Sequence, residues 1–179
     1  MEFQELVLSR RSIRAYKEGV TISEAEVKEI IACAQQAPSW KNSQTARYFA
    51  ATSKEAIAKV MAEALPEFNA ASSKNAAALI VTTFEKKRAG FNREGVADNE
   101  LGDEWGAYDL GLQNGYMILK AQELGYDTLI MGIRDGEALR SIFAIPDSQE
   151  VVAVIAVGKR VEDVAAPKRK PTEDIVKFF

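Results

Sequence analysis

The sequence predicts a mixed α and β protein. Stretches with apolar residues at helical spacing alternate with four apolar, β-rich runs, and capping and stop signals separate them. No internal repeat or low-complexity segment interrupts the pattern. A chain of 179 residues can bury one sizeable core and is short for two, so residues 1–179 are expected to form a single domain.

Residues 2–9 can form a short helix with Phe3, Leu6 and Val7 on one face. "SEAE" at 23–26 reads as a capping box, in which Ser23 caps and Glu26 reaches back. Val27, Ile30, Ile31 and Ala34 follow at helical spacing until Pro38 stops the helix. "RYFAAT" (47–52) predicts a strand. Residues 53–65 predict a second helix with Ile57, Val60, Met61 and Ala64 inward and Pro66 after it. "AAALIVTTF" (76–84) predicts a buried strand. Residues 85–104 are the most polar stretch and predict a solvated, mobile loop. Trp105 to Leu124 predicts a central, buried helix ending at Gly125, with Gly111 and Gly115 explained by close approach of another helix or a ligand. "DTLIM" (127–131) predicts a strand, 135–143 a short capped helix, and "VVAVIAVG" (151–158) a fully buried strand. The apolar terminal "IVKFF" either docks on a partner or folds back on its own core.

Composition narrows the chemistry. A net charge of −3 disfavours non-specific nucleic-acid binding. No apolar run approaches the roughly 18 residues of a membrane span, and "MEFQELVLSRR" lacks a signal-peptide pattern, so a cytoplasmic location is expected. The single cysteine, Cys33, excludes an internal disulfide and a dithiol pair, and its helical setting favours a buried, small apolar role. The absence of histidine removes Ser-His-Asp triads, Cys-His dyads and His-ligated metal sites. No metal site is expected. No G-x-G-x-x-G and no P-loop occur, and no carboxylate pair is readable. An enzyme of this composition would need a cofactor for its hard chemistry.

Three stretches carry candidate chemistry. "SRRSIRAY" (9–16) concentrates Arg10, Arg11 and Arg14 around Ser12, and arginine forks with a hydroxyl suit phosphate oxygens. A solvated basic turn is the alternative. "PKRKP" (167–171) could converge on the same anion or remain a solvated tail. "APSWKNSQTARYF" (37–49) offers Ser39, Asn42, Ser43 and Gln44 as donors and acceptors for a heterocycle edge, and Trp40 as a flat apolar face; ordinary turn chemistry is the alternative.

Taken in order, "RRSIRAY", "APSWKNSQTARYF", "DLGLQNGYMILKAQELGYDTLIMG", "LRSIFAIPDSQEVVAVIAVGKR" and "PKRKPTEDIV" resemble the segments of the nitroreductase-like family of FMN-dependent NAD(P)H oxidoreductases. The resemblance implies an α+β fold with a mostly antiparallel sheet flanked by helices. It also implies an intertwined homodimer, with FMN at the interface and the C-terminal segment crossing to the partner. Arg10 and Ser12 would hold the FMN phosphate and ribityl region, with Arg11 nearby and Arg14 at the N1/O2 edge. Ser39, Asn42 and Gln44 would come from the other subunit, and Pro38 and Trp40 are cofactor-binding candidates beside them. Lys168 and Arg169 would complete the phosphate site, and the backbone at Met131 and Gly132 would face the flavin. Asn69, Lys74 and Asn75 are further candidates. Thr45 and Ala46 depart from the family's Pro-Trp, and bulky Trp40 would narrow the substrate entrance.

The implied reaction is ping-pong. NAD(P)H gives a hydride to flavin N5, and a small electron-poor acceptor of nitro or quinone type then takes the electrons. Arg14, a catalytic electrostatic group, would stabilise reduced flavin. A flavin-binding protein without turnover, and an enone or dehalogenation reductase on the same scaffold, remain open.

Overall fold

The computed structural model describes residues 2–179. Strand β2 (Ala78–Glu85) organises the molecule, because seven of its eight residues are buried and successive side chains serve opposite layers. Leu79 and Val81 join one apolar cluster; Ala78 and Ile80 join another. A strand covered on both faces reads as a continuous apolar run rather than an alternating one. That is the origin of the "ALIV" stretch.

The sheet has four strands in the order β1-β2-β4-β3, where β1 is Ala46–Ala51, β3 is Asp127–Met131 and β4 is Gln149–Gly158. All three pairings are antiparallel, with Ala46 opposite Phe84, Ala78 opposite Val157 and Thr128 opposite Val157. An irregularity in the ladder falls between Thr82 and Thr83. Helices α3 (Lys54–Ala64) and α6 (Gly136–Phe143) cover one face through Val60, Ala64 and Leu139. Helices α2 (Glu24–Ala34) and α5 (Glu104–Glu123) cover the other through Val27, Ile30, Ala34, Met117 and Ala121. The result is an α+β protein with an antiparallel sheet between two helical layers.

Local signals act where the sequence places them. Ser23 accepts the Glu26 N–H, and the Glu26 carboxylate accepts the Ser23 N–H at 2.8 Å, closing the capping box. Ser23→Ala at such a position costs about 1 kcal/mol. Gly125 adopts φ +81° beyond α5, where an L side chain would be strained. Tyr16 packs so closely on Gly158 that a Cβ there would lie 2.6 Å from its ring. This contact brings the N-terminal segment against the end of β4.

Several expectations need correction. Helix α1 (Phe3–Ser9) buries only Leu6, while Phe3 and Val7 stay exposed, because a helix of about two turns has room for a single inward contact here. Helix α2 ends at Ala34, before Pro38 acts. Residues 67–73 form a further helix, α4 (Glu67–Ser73), opened by Pro66 at its N-cap; "EFNAASS" has little apolar periodicity to betray it. Helix α5 is not buried all round. Tyr108 and Tyr116 are exposed, and a Cβ on Gly111 or Gly115 would meet nothing. Cys33 is half-buried.

The polar stretch 85–104 is tied down rather than simply solvated. Asn92 accepts the N–H groups of Glu94 and Val96, Asn99 accepts the Trp105 indole N–H, and Asp103 accepts the Lys87 N–H. The tail beyond Arg160 is exposed and does not fold back on the core: Ile175, Phe178 and Phe179 are exposed. Among the described residues, no helix is long and apolar enough to cross a membrane.

Candidate functional site

The arginine segment leaves α1 and runs along the free edge of β3. Ser12 bridges Thr128 in parallel, and the Ile13 N–H donates to the Thr128 carbonyl at 3.0 Å. Ile13 and Tyr16 point into the core, leaving Ser12 and Arg14 exposed. Around Ile13 the segment alternates its faces as an extended edge strand does, so anchoring Ile13 turns Ser12 and Arg14 outward. Tyr16, three positions on, is held separately by its bridge to Arg160.

Arg11 brings in the other end of the chain. Its Nε donates to the Val164 carbonyl at 3.1 Å, and its Nη1 donates to the Leu8 and Arg10 carbonyls. The tail therefore returns beside the arginines. The Arg10 guanidinium is held below its usual range, first by burial and then by the like charges of Arg169 and Arg11. None of these three arginines forms an ion pair among the described residues. Three crowded cations without a carboxylate are an unfavourable arrangement that a bound anion would relieve. Lys168 lies exposed in the same tail. Arg14 donates to the Ser12 carbonyl at 3.4 Å and forms no ion pair among the described residues.

Further along the same edge, β3 ends at buried Met131 and exposed Gly132. A Cβ on Gly132 would meet no atom within 4 Å, so the space beside this backbone is open. Asn69 of α4 donates its side-chain N–H to the Ile133 carbonyl at 2.8 Å, fixing the path of the segment. Asn75 donates weakly to the Tyr16 carbonyl at 3.5 Å, and Lys74 is exposed at the end of α4.

The loop 38–44 is elsewhere. Pro38 is exposed, and Ser39 accepts the Gln44 N–H at 3.1 Å across a tight turn. Lys41, Asn42 and Gln44 all adopt left-handed backbone, with φ of 47°, 54° and 50°. Such conformations are costly for residues other than glycine and concentrate at binding sites. Trp40 is held from two sides. Its N–H donates to the Asp109 carboxylate at 2.8 Å, and its ring lies 4.7 Å from that of Trp105. Asp109 is buried, and burial pushes its carboxyl pKa up while the Trp40 N–H opposes that shift. Asp109 and Trp105 were not singled out from sequence; a carboxylate among the inward positions of an apolar helix was the available signal.

The sheet keeps the two clusters apart. Ser12 sits at the level of Ala78 on β2, through Thr128 and Val157, whereas the loop 38–44 enters at the level of Phe84. The residue numbers differ by 84 − 78 = 6, which at ~3.3 Å per residue is roughly 20 Å along the strands. They also lie at opposite edges, on β3 and β1. Within one chain, Arg10, Arg11, Ser12, Arg14, Met131, Gly132 and Arg169 form one group, and Ser39, Trp40, Asn42 and Gln44 form another.

A four-stranded antiparallel sheet between helical layers, with arginines at one edge that form no ion pair among the described residues, defines the class as an α+β protein. The sequence matches the Nitroreductase family over residues 7–159, and the chain belongs to that family. It is similar to YdgI of Bacillus subtilis (strain 168), provisionally named an NAD(P)H nitroreductase, with 27% identity over 99% of this chain and 97% of that protein. Its structure is similar to a protein from Exiguobacterium sibiricum 255-15, provisionally named a nitroreductase and solved in complex with FMN: 26% identity, TM-score 0.82, covering 100% and 98% of the two chains. A protein of Staphylococcus epidermidis ATCC 12228, provisionally named an NAD(P)H:FMN oxidoreductase, shares the fold, with TM-score 0.85, 24% identity and coverage of 99% and 96%.

Proposed function

We propose that this chain is an FMN-dependent NAD(P)H oxidoreductase acting as a homodimer. The observation that carries the reading is that Arg11 draws the C-terminal tail back beside Arg10, near enough for Arg169 to act on the Arg10 charge, while none of the three forms an ion pair among the described residues. A phosphate monoester matches that charge, and paired N–H groups match its oxygens. Membership of the nitroreductase family and the likeness to a solved FMN complex support the same ligand.

Each group has a proposed task. Arg10, Ser12 and Arg169 bind the phosphate, with Lys168 at the rim. Arg11 holds the tail in place while facing the middle of the cofactor. Arg14 places a permanent cation at the pyrimidine edge of the ring, where reduction accumulates negative charge. Met131 and Gly132 offer backbone to the open space beside β3. Ser39, Trp40, Asn42 and Gln44 complete the site from the other subunit, because within one chain they lie roughly 20 Å away along the strands and at the opposite edge of the sheet. The exposed face of α5, with Gly111, Gly115, Tyr108 and Tyr116, and the apolar tail supply contact surface for that subunit.

Bound FMN would supply the redox chemistry, taking a hydride from NAD(P)H at N5 and passing it in a second half-reaction to an electron-poor nitro or quinone acceptor. The protein's part is to orient and to stabilise charge, and this needs no histidine. The visible spectrum of the purified protein tests the reading. Oxidised-flavin bands bleached by NAD(P)H and restored by a quinone support it. A protein that neither carries nor takes up FMN overturns it. Bands that NAD(P)H leaves unchanged favour a flavin carrier without turnover.

A further inference from the structure

The loop 38–44 has a second side. Between it and the turns at 87–95 lies a cavity of about 610 Å³, lined among others by Trp40, Lys41, Lys87, Arg88, Phe91 and Arg93. Its charges are one-sided. Four cations face a single acid, Glu94, and Lys41 is matched by Asp98 at 2.7 Å. Lys87, Arg88 and Arg93 form no ion pair among the described residues. Asp103 approaches Lys87, but it accepts the backbone N–H rather than pairing with the ammonium.

The cavity is also aromatic and firmly built. Trp40 and Phe91 contribute rings, and the Trp40 indole N–H and Ser43 hydroxyl are buried without hydrogen-bond partners among the described residues. The turn around Phe91 is closed by Asn92, and the Asp98 N–H donates to the Gly90 carbonyl at 2.8 Å. Lys41 and Lys87 both occupy left-handed backbone, at φ 47° and 55°, where glycine would be the easier residue.

We propose that this cavity is a recognition site for a flat aromatic ligand bearing an anionic group, a carboxylate or a phosphate. Arg88, Arg93 and Lys87 meet the anion, and Trp40 and Phe91 bound the ring. The site deepens the proposed function, since Trp40 and Lys41 belong to the loop assigned to the cofactor. Two sources carry this chemistry: an aromatic acid acting as electron acceptor, and the adenosine 2′-phosphate portion of NADPH.

The test is calorimetric binding to the holoprotein. One pair of probes is 4-nitrobenzoate and 4-nitrobenzyl alcohol; the other is adenosine 2′,5′-bisphosphate and adenosine 5′-monophosphate. The more anionic member of one pair should bind about tenfold tighter, in line with one or two charge-assisted hydrogen bonds. The Arg88→Gln/Arg93→Gln protein should lose that preference while binding the less charged member within twofold of wild type. The pair that responds identifies the source. Equal binding within both pairs, or a preference kept by the double variant, overturns the proposal. The readout is affinity at the cavity, so it stands even for a flavin-loaded protein that turns nothing over.

Discussion

The carboxylate of Asp109, buried on α5, accepts the backbone N–H of Trp40, 69 positions earlier in the chain. It is the tether between the longest helix and the most strained loop of the protein. Asp109→Ala leaves that N–H without its acceptor, at a cost of about 1–3 kcal/mol. Asp109→Asn keeps an acceptor and removes a buried charge. The alanine variant should lower the melting temperature and weaken FMN binding, whereas the asparagine variant should retain most of both. Thermal denaturation and flavin titration of the two proteins compare them.

Arg10 and Arg169 repel each other unless an anion lies between them. Arg169→Gln should weaken FMN binding about tenfold or more. Affinity of the wild type should fall as salt rises, with a shallower slope for the variant. Unlike a lost packing contact, this change should leave the melting temperature of the flavin-free protein nearly unchanged. Fluorescence titration at several salt concentrations measures it.

Arg14 forms no ion pair among the described residues and donates to the Ser12 carbonyl at 3.4 Å. Arg14→Met should make the flavin harder to reduce. Loss of a tenfold preference for the reduced form corresponds to roughly 30 mV for two electrons. Dye-equilibrated titration of the bound flavin gives the value, and an unchanged potential would remove Arg14 from the electrostatic role.

Glu26 receives hydrogen bonds from the Ser23 N–H and hydroxyl and from Tyr126, which hold its carboxyl below the usual range. Tyr126 is in turn pushed up to about 12, by burial first and then by Glu26. A depressed carboxyl stabilises the fold above its unfolded-state pKa and loses that contribution as pH falls through the folded value. Melting temperature should therefore decline on acidification, and Glu26→Gln should flatten that decline while lowering stability at neutral pH. Scans from pH 7 down to pH 3 would show both effects.

Gly111 and Gly115 occupy open surface in the single chain, so alanine there should favour the helix by about 1 kcal/mol. In the proposed dimer the same methyl groups would push the partner away. Gly111→Ala should weaken self-association even though it improves the helix. Sedimentation equilibrium separates the two effects; an unchanged association constant would place the interface elsewhere.

Much of this was legible before any coordinates. Strands β2, β3 and β4 lie where apolar runs announce them, and the Ser23 capping box forms as its spacing demands. What escaped was structure held by contacts distant in sequence. Helix α4 has weak periodicity and depends on packing. The order in 85–104 comes from Asn92, Asn99 and Asp103, each ordinary in a list of polar residues. The arginine segment could be recognised, but its crowding with Arg169 could not, because that depends on where Arg11 pulls the tail. Asp109 looked like one more acid until burial and Trp40 set it apart.

The separation of the two clusters has a genetic consequence. If each site draws Arg10 from one chain and Asn42 from the other, damage can be shared out or concentrated. A chain with only its Arg10 half disabled, paired with one lacking only the Asn42 half, leaves one of two sites whole. A chain with both lesions spoils both sites even beside a wild-type partner. Two inactive single variants mixed and refolded should then recover activity. The double variant, co-expressed with wild type, should act as a dominant poison.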